Sequence, residues 1–212
     1  MVWVPQPAER ADGFPALSGR FRTRSCAALA DLYQELMAQA DGAIPLRRTL
    51  DPARVKRFLS NAVLFHIVEG DAIFRIVGQN VVNRFGYNPT GQSYTAFVEP
   101  ERREAALAAF NACVAQPCAM YVDILQRFRS GGAAECEVLG VPFRDAPGDG
   151  PASHLFFFDQ VLSDDRATAD PEDGLVSAHI RARCFIDLGF GTPEGFTDLV
   201  QVDEEPPTSA QS

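Results

Sequence analysis

The chain has 212 residues, 46% of them apolar and 22% charged, with 16 phenylalanines against one tryptophan, a make-up that fits one globular core better than two. Nineteen basic against 28 acidic residues leave a net charge of −9, which repels nucleic acid and anionic membrane surfaces and excludes both as expected partners. No apolar run is long enough to span a bilayer, MVWVPQPAER is not a leader-type start, and five cysteines at scattered spacings point to reduced thiols in a cytoplasmic protein.

In chain order, residues 1–24 carry prolines, glycines and arginines without periodicity and read as a flexible arm, with Trp3 free to dock. Ser25 is a cap candidate for an amphipathic helix over Ala28–Ala40, whose Leu29, Leu32, Tyr33, Leu36 and Met37 recur at helical spacing before Gly42. That stripe must be buried, either on the chain's own sheet or in a homodimer, and the homodimer is the expectation. Asp51-Pro52 signals a second, short helix through Phe58-Leu59. Ala62–Val68 and Ala72–Val77, rich in Val, Ile and Phe, form a hairpin about Glu69-Gly70-Asp71. A small helix follows, with Val81, Val82 and Phe85 on one face and Gly86 at its end, then the turn Asn88-Pro89-Thr90-Gly91.

Pro100-Glu101 opens a longer helix to about Ala115, stopped by Pro117. Three strands complete a sheet: Ala119–Phe128, Ala133–Val141 and His154–Leu162. In the second, Glu135, Glu137 and Leu139 alternate with Ala134, Cys136 and Val138, whereas Leu155 to Phe158 is apolar on both faces and reads as a doubly covered central strand. Residues 25–163 therefore form one α+β domain with five antiparallel strands and flanking helices. Residues 164–203 are a polar linker and an extension, Leu175–Leu188, open to helix or added strand, with Cys184-Phe185-Ile186 favouring the strand. Residues 204–212 are acidic, proline-bearing and expected to be disordered.

The hairpin, small helix and Gly-rich loop, taken in order, resemble the opening of a PAS sensor domain. Val68-Glu69-Gly70, Phe74-Arg75-Ile76-Val77-Gly78, Phe85-Gly86 and Thr90-Gly91 are similar to the pattern of a PAS-like family common in alpha-proteobacteria and often found as a single domain. The resemblance spans about Ala28 to Leu162, with a weaker match from Arg183 to Gly189. It implies the sheet order 2-1-5-4-3 and a non-enzymatic sensory or interaction domain of bacterial signal transduction that binds a small ligand or a signalling protein partner. No effector segment is recognisable, so output is expected to pass to another chain.

The candidate pocket residues are Arg75, Tyr87, Asn88, Tyr94, Tyr121 and Gln126, polar groups placed to line a space between sheet and helices. Arg75 either extends to solvent or reaches inward for an anion. His66 is a ligand candidate because a strand histidine can face a haem, though a hydrogen-bonded core histidine is the commoner case. A flavin photosensor of PAS type carries Asn-Cys-Arg-Phe on the small helix, whereas this helix reads Asn83-Arg84-Phe85, without the thiol that forms the adduct. Cofactor identity is unknown from sequence, and the cysteines and histidines lack metal-site spacing. A second reading is a small cone-shaped isomerase or cyclase in which Asp123 or Asp159 serves as a buried general base. Such enzymes place long helices before most of the sheet, whereas here a hairpin comes first.

Overall fold

The computed structural model describes residues 21–68, 70–98, 100–147, 151–166, 173–196 and 199–200. Most of the N-terminal arm with Trp3, Glu69 of the hairpin and the C-terminal tail lie outside the described residues.

One antiparallel sheet carries the molecule. Its strands are β1 (Ala62–Val68), β2 (Asp71–Val77), β3 (Cys118–Phe128), β4 (Ala133–Phe143), β5 (His154–Asp164), β6 (Leu175–Asp187) and the two-residue β7 (Leu199–Val200), in spatial order β2-β1-β5-β4-β3-β6-β7. The helices are α1 (Arg24–Gln39), α2 (Pro52–Leu59), α3 (Gln79–Phe85) and α4 (Arg103–Ala115), the last preceded by a 3-10 turn at Pro100–Arg102. The β1–β2 hairpin closes with Val68 opposite Asp71, and Gly70 takes φ 83°, a left-handed conformation that glycine adopts without strain.

The order 2-1-5-4-3 expected from the resemblance is present, but the sheet does not stop at five strands. β6 pairs with β3 over most of the length of β3, from Cys118 opposite Asp187 to Phe128 opposite Leu175. It belongs there because its C-terminal half is covered, with Ala182, Cys184 and Ile186 buried on one face and Arg183 on the other.

Both faces of the sheet are covered. On one face Phe58 of α2 sets its ring edge-on to Phe158, with centroids 5.2 Å apart, and Tyr33 of α1 does the same to Phe143 at 5.4 Å. The Tyr33 hydroxyl also donates to the Pro142 carbonyl at 2.7 Å. Alternation therefore brings Leu64, Leu139, Val141 and Phe156 under these helices, and α3, α4 and the turn Tyr94–Phe97 cover the other face.

The covering of the outer face explains two departures from the sequence reading. Glu137 would face water on a one-sided sheet, yet it is fully buried. It accepts hydrogen bonds from the backbone N–H groups of Arg22 (2.6 Å) and Thr23 (2.9 Å) and from the Thr23 hydroxyl (2.5 Å). A carboxylate at the start of α1 meets free N–H donors there, so the helix is anchored to β4. It begins at Arg24 with Thr23 as cap, its hydroxyl accepting from Cys26 N–H at 3.2 Å, and Ser25 falls inside the helix. The apolar stripe of α1 is also accounted for within one chain: Leu29, Leu32, Tyr33, Leu36 and Met37 are all buried against the sheet, which is the intramolecular alternative to the expected dimer helix.

Replacing Leu32 and Leu36 together by glutamate is therefore expected to unfold the chain, because two carboxylates would be forced into the helix–sheet contact. Circular dichroism reads the outcome, and a folded double variant would show that the stripe is not needed for the monomer.

Candidate functional site

The inner face carries a partly open cavity of about 140 Å³. Six aromatic rings stand in its wall among aliphatic side chains: Phe65 of β1, Phe74 of β2, Phe110 of α4, Phe157 of β5, Phe85 of α3 and Tyr94. Phe65 is their hub, with ring centroids 4.6 Å from Phe74, 5.5 Å from Tyr94, 5.2 Å from Phe110 and 5.7 Å from Phe157. These rings are rigid and bulky; they meet in edge-on, tilted and stacked pairs, Phe110 lying nearly parallel to Phe157 at 5.2 Å, and leave space that aliphatic chains would fill. Gly140 on β4 belongs to the same wall, since a Cβ there would lie 2.3 Å from the Phe157 ring. The absent side chain is what lets Phe157 lie flat over β4.

One end of the cavity is polar. Arg84 of α3, 4% exposed, donates from Nη2 to Asp159 Oδ2 at 2.8 Å, and Gln126 of β3, 6% exposed, turns Nε2 toward the same oxygen at 3.4 Å. The amide orientation follows from the carboxylate, which can only accept. Asp159 has its pKa raised by burial, while the Arg84 guanidinium pulls the other way. Cys136 faces this carboxyl, and burial, together with the Asp159 charge, drives its thiol well above the ordinary range. Beyond the ion pair Arg84 also lines an open polar cleft of about 550 Å³ with Asn61, Asn80, Asn83 and Gln160. The Arg84–Asp159 pair thus stands between a wet cleft and an apolar cavity.

A family model described as a PAS domain matches residues 21–154. The chain belongs to the PAS domain family. Among solved structures it is similar to a light-oxygen-voltage domain studied with a flavin analogue, at 15% identity over 52% of this chain and 83% of that one, with a TM-score of 0.41. It is also similar to the light state of the blue-light photoreceptor Aureochrome1 LOV, at 14% identity, 54% and 89% coverage and a TM-score of 0.38. A third is VqmA of Vibrio cholera in a ligand–DNA complex, at 16% identity, 53% and 51% coverage and a TM-score of 0.38. No curated protein matches the chain.

Of the pocket residues expected from sequence, two lie in the PAS cavity: Tyr94, its ring stacked on Phe110 at 4.9 Å, and Gln126. The others lie elsewhere, for reasons of strand alternation or local turns. Arg75 follows Phe74 on β2, so it points away from the cavity, is exposed and donates from Nη2 to His66 Nδ1 at 3.1 Å. His66 follows Phe65 in the same way and stacks on His154 of β5, with centroids 4.5 Å apart and planes 6° from parallel. Tyr121 lies on the outer face beside Phe21, with ring centroids 6.1 Å apart. Tyr87 is exposed, and Asn88 closes its own turn by accepting from Thr90 N–H at 3.1 Å and Thr90 Oγ1 at 2.7 Å. The two aspartates of the enzyme reading also diverge: Asp159 faces the cavity, whereas Asp123 is on the outer face, 3.0 Å from Arg22 Nη1 and 3.8 Å from Arg181 Nε.

Arg84 was the residue that sequence reasoning missed. Its signal was spacing, since it stands three residues after the buried Val81 and so shares the face of α3 that meets the sheet. Among the described residues no group of three or more His, Cys, Asp or Glu side chains could hold a metal ion, and the five cysteines are buried and form no disulfide. No helix among them is long and apolar enough to cross a membrane.

Two expected outcomes follow from these buried charges. Arg84→Leu leaves the Asp159 carboxylate buried without its counter-ion and should cost about 3–5 kcal/mol in chemical denaturation, whereas Arg84→Leu combined with Asp159→Leu should recover most of that loss. A double variant whose cost is the sum of the two single costs would show that the pair is not coupled. At the histidine pair, burial foremost, then the neighbouring His66 and Arg47, lower the His154 pKa to about 4 from 6.5, with Asp145 opposing. A depressed folded-state value means that the unfolded chain takes up the proton first, so stability is intact above pH 6.5 and falls as pH drops toward 4, by on the order of 3 kcal/mol. His154→Phe keeps the stack and removes the proton site, so its denaturation midpoint should fall less than the wild type's between pH 7 and pH 4.5. An identical fall would assign the acid sensitivity elsewhere.

Proposed function

We propose that this PAS domain is a non-enzymatic sensory module whose inner cavity takes a small, mainly apolar ligand, with Tyr94 and Gln126 among its contacts. The cavity carries the reading: about 140 Å³ is close to the roughly 150 Å³ of an engineered apolar cavity that admits benzene and well below the roughly 300–1,000 Å³ of sites for drug-sized ligands. A ring of about benzene's size is the class of ligand that fits without moving the wall.

The absence of turnover is supported by the placement of the two candidate general bases. They sit on opposite faces, each beside a guanidinium, so no nucleophile, base and electrophile converge in the cavity. The motif order from Val68 to Gly91 supports a place among the PAS proteins of alpha-proteobacteria often found as single domains, acting in cytoplasmic signal transduction through another protein. A homodimer through α1 would have to use the polar side of that helix, where Arg24, Asp31, Glu35, Ala38 and Gln39 are exposed.

Toluene is the simplest probe. It is expected to raise the thermal midpoint in proportion to the logarithm of its concentration above the dissociation constant, and Ala109→Leu, which adds volume to the cavity wall, should abolish the rise. A midpoint indifferent to toluene and to aniline, up to the solubility of each, would refute the ligand-binding reading.

A further inference from the structure

The cavity is apolar along most of its wall, yet its polar end keeps two buried oxygens without a hydrogen-bond partner among the described residues, Asp159 Oδ1 and Gln126 Oε1. Both residues already spend their other polar atoms on each other and on Arg84, and those contacts determine which atoms remain. Arg84 Nη2 and Gln126 Nε2 converge on Asp159 Oδ2, so the atom each of the two residues has left is an acceptor. An unpaired buried acceptor is costly, and two of them lining one small space define what would satisfy them. We propose that the ligand of this cavity is a small neutral aromatic ring bearing a nitrogen with two N–H donors, an aromatic amine or an equivalent donor group, with the ring among Phe65, Phe110 and Phe157 and the N–H groups on Asp159 Oδ1 and Gln126 Oε1.

The chemistry selects against the neighbouring classes. At these two oxygens an anionic or carbonyl-only ligand brings acceptors to acceptors; its donors would have to come from Arg183, which lines the wall on β6, and that leaves Asp159 Oδ1 and Gln126 Oε1 unpaired. A cation is not demanded, since Arg84 already neutralises the carboxylate at 2.8 Å. A hydroxyl supplies one hydrogen for two oxygens. A purely apolar ring fills the volume and leaves both oxygens stranded. This specificity rests on the ligand-binding reading above and narrows it.

Aniline and toluene test it, being alike in size and shape and differing by NH₂ against CH₃. Measured by calorimetry on the full chain, aniline is expected to bind about tenfold more tightly than toluene, although toluene is the more apolar of the two. Equal affinity, or a preference for toluene, would overturn the proposal and leave a cavity that reads only shape, which is also the result expected if bound water alone serves the two oxygens. Failure of both to bind would instead remove the ligand-binding reading itself. Two variants locate the preference. Gln126→Met removes one acceptor and should narrow the ratio, with toluene binding reporting that the cavity persists. In Asp159→Asn the amide oxygen is drawn to Arg84, which can only donate, and the NH₂ turns to the cavity as a donor, so the preference for aniline should collapse. A preference unchanged in both variants would show that these oxygens do not read the ligand.

Discussion

Burial of the sheet on both faces is the constraint on which the rest of this structure depends. A sheet with one wet face tolerates charge on alternate residues, whereas here α1 and α2 close the outer face and every polar group beneath them must find a partner. Glu137 finds three donors at the start of α1, and Asp123 accepts from Arg22 at Oδ2 with Arg181 as a second counter-ion 3.8 Å from Oδ1. The same carboxylate that would be a liability under a helix becomes the helix's anchor, because the free N–H groups of a first turn are as much in need of an acceptor as the buried carboxylate is of donors.

The inner face meets the constraint differently. Its wall combines five phenylalanines and Tyr94 with aliphatic side chains, and rings held in mixed edge-on, tilted and stacked pairs do not collapse onto one another as leucines would, so a benzene-sized space persists beside Phe157. Gln126 and Asp159 meet Arg84 at one end, and Arg183 of β6 adds a guanidinium elsewhere on the wall. Because the carboxylate is shared between a guanidinium and an amide, its remaining lone pairs and the amide oxygen are oriented by bonds already made. Such atoms are preorganised: a ligand meeting them does not have to displace an existing hydrogen bond.

Much of the fold was legible because the elements announce their ends. Gly70 turns the hairpin, Gly86 stops α3 at φ 79°, Asp51 caps α2 by accepting from Ala53 N–H at 2.9 Å, and β1 runs over Ala62–Val68, the span its apolar run predicts. What was less legible depends on contacts distant in sequence. Nothing near Glu137 says that Thr23, 114 residues earlier, will lie on it. Nothing in the polar stretch after Asp164 says that the chain will return to lay β6 along β3, and only the apolar return over Leu175–Leu188, with Cys184-Phe185-Ile186 favouring a strand, hinted at it.

The site was harder to read than the fold, and strand parity shows why. Polar residues were chosen as pocket candidates by type, but in a sheet the face is decided by odd and even positions. Val63, Phe65 and Phe74 line the cavity, so His66 and Arg75, one step along their strands, were bound to point the other way, where they hydrogen-bond to each other. By the same parity Gln126 shares its face with Met120, Val122 and Ile124 and enters the cavity, while Tyr121 and Asp123 leave it. Asp159 stands two residues after Phe157 and inherits its face. Once one aromatic is known to face inward, the polar residues an even number of positions away on the same strand are the ones to examine, and that count selects Gln126 and Asp159, the two that keep an unsatisfied oxygen at the cavity's end.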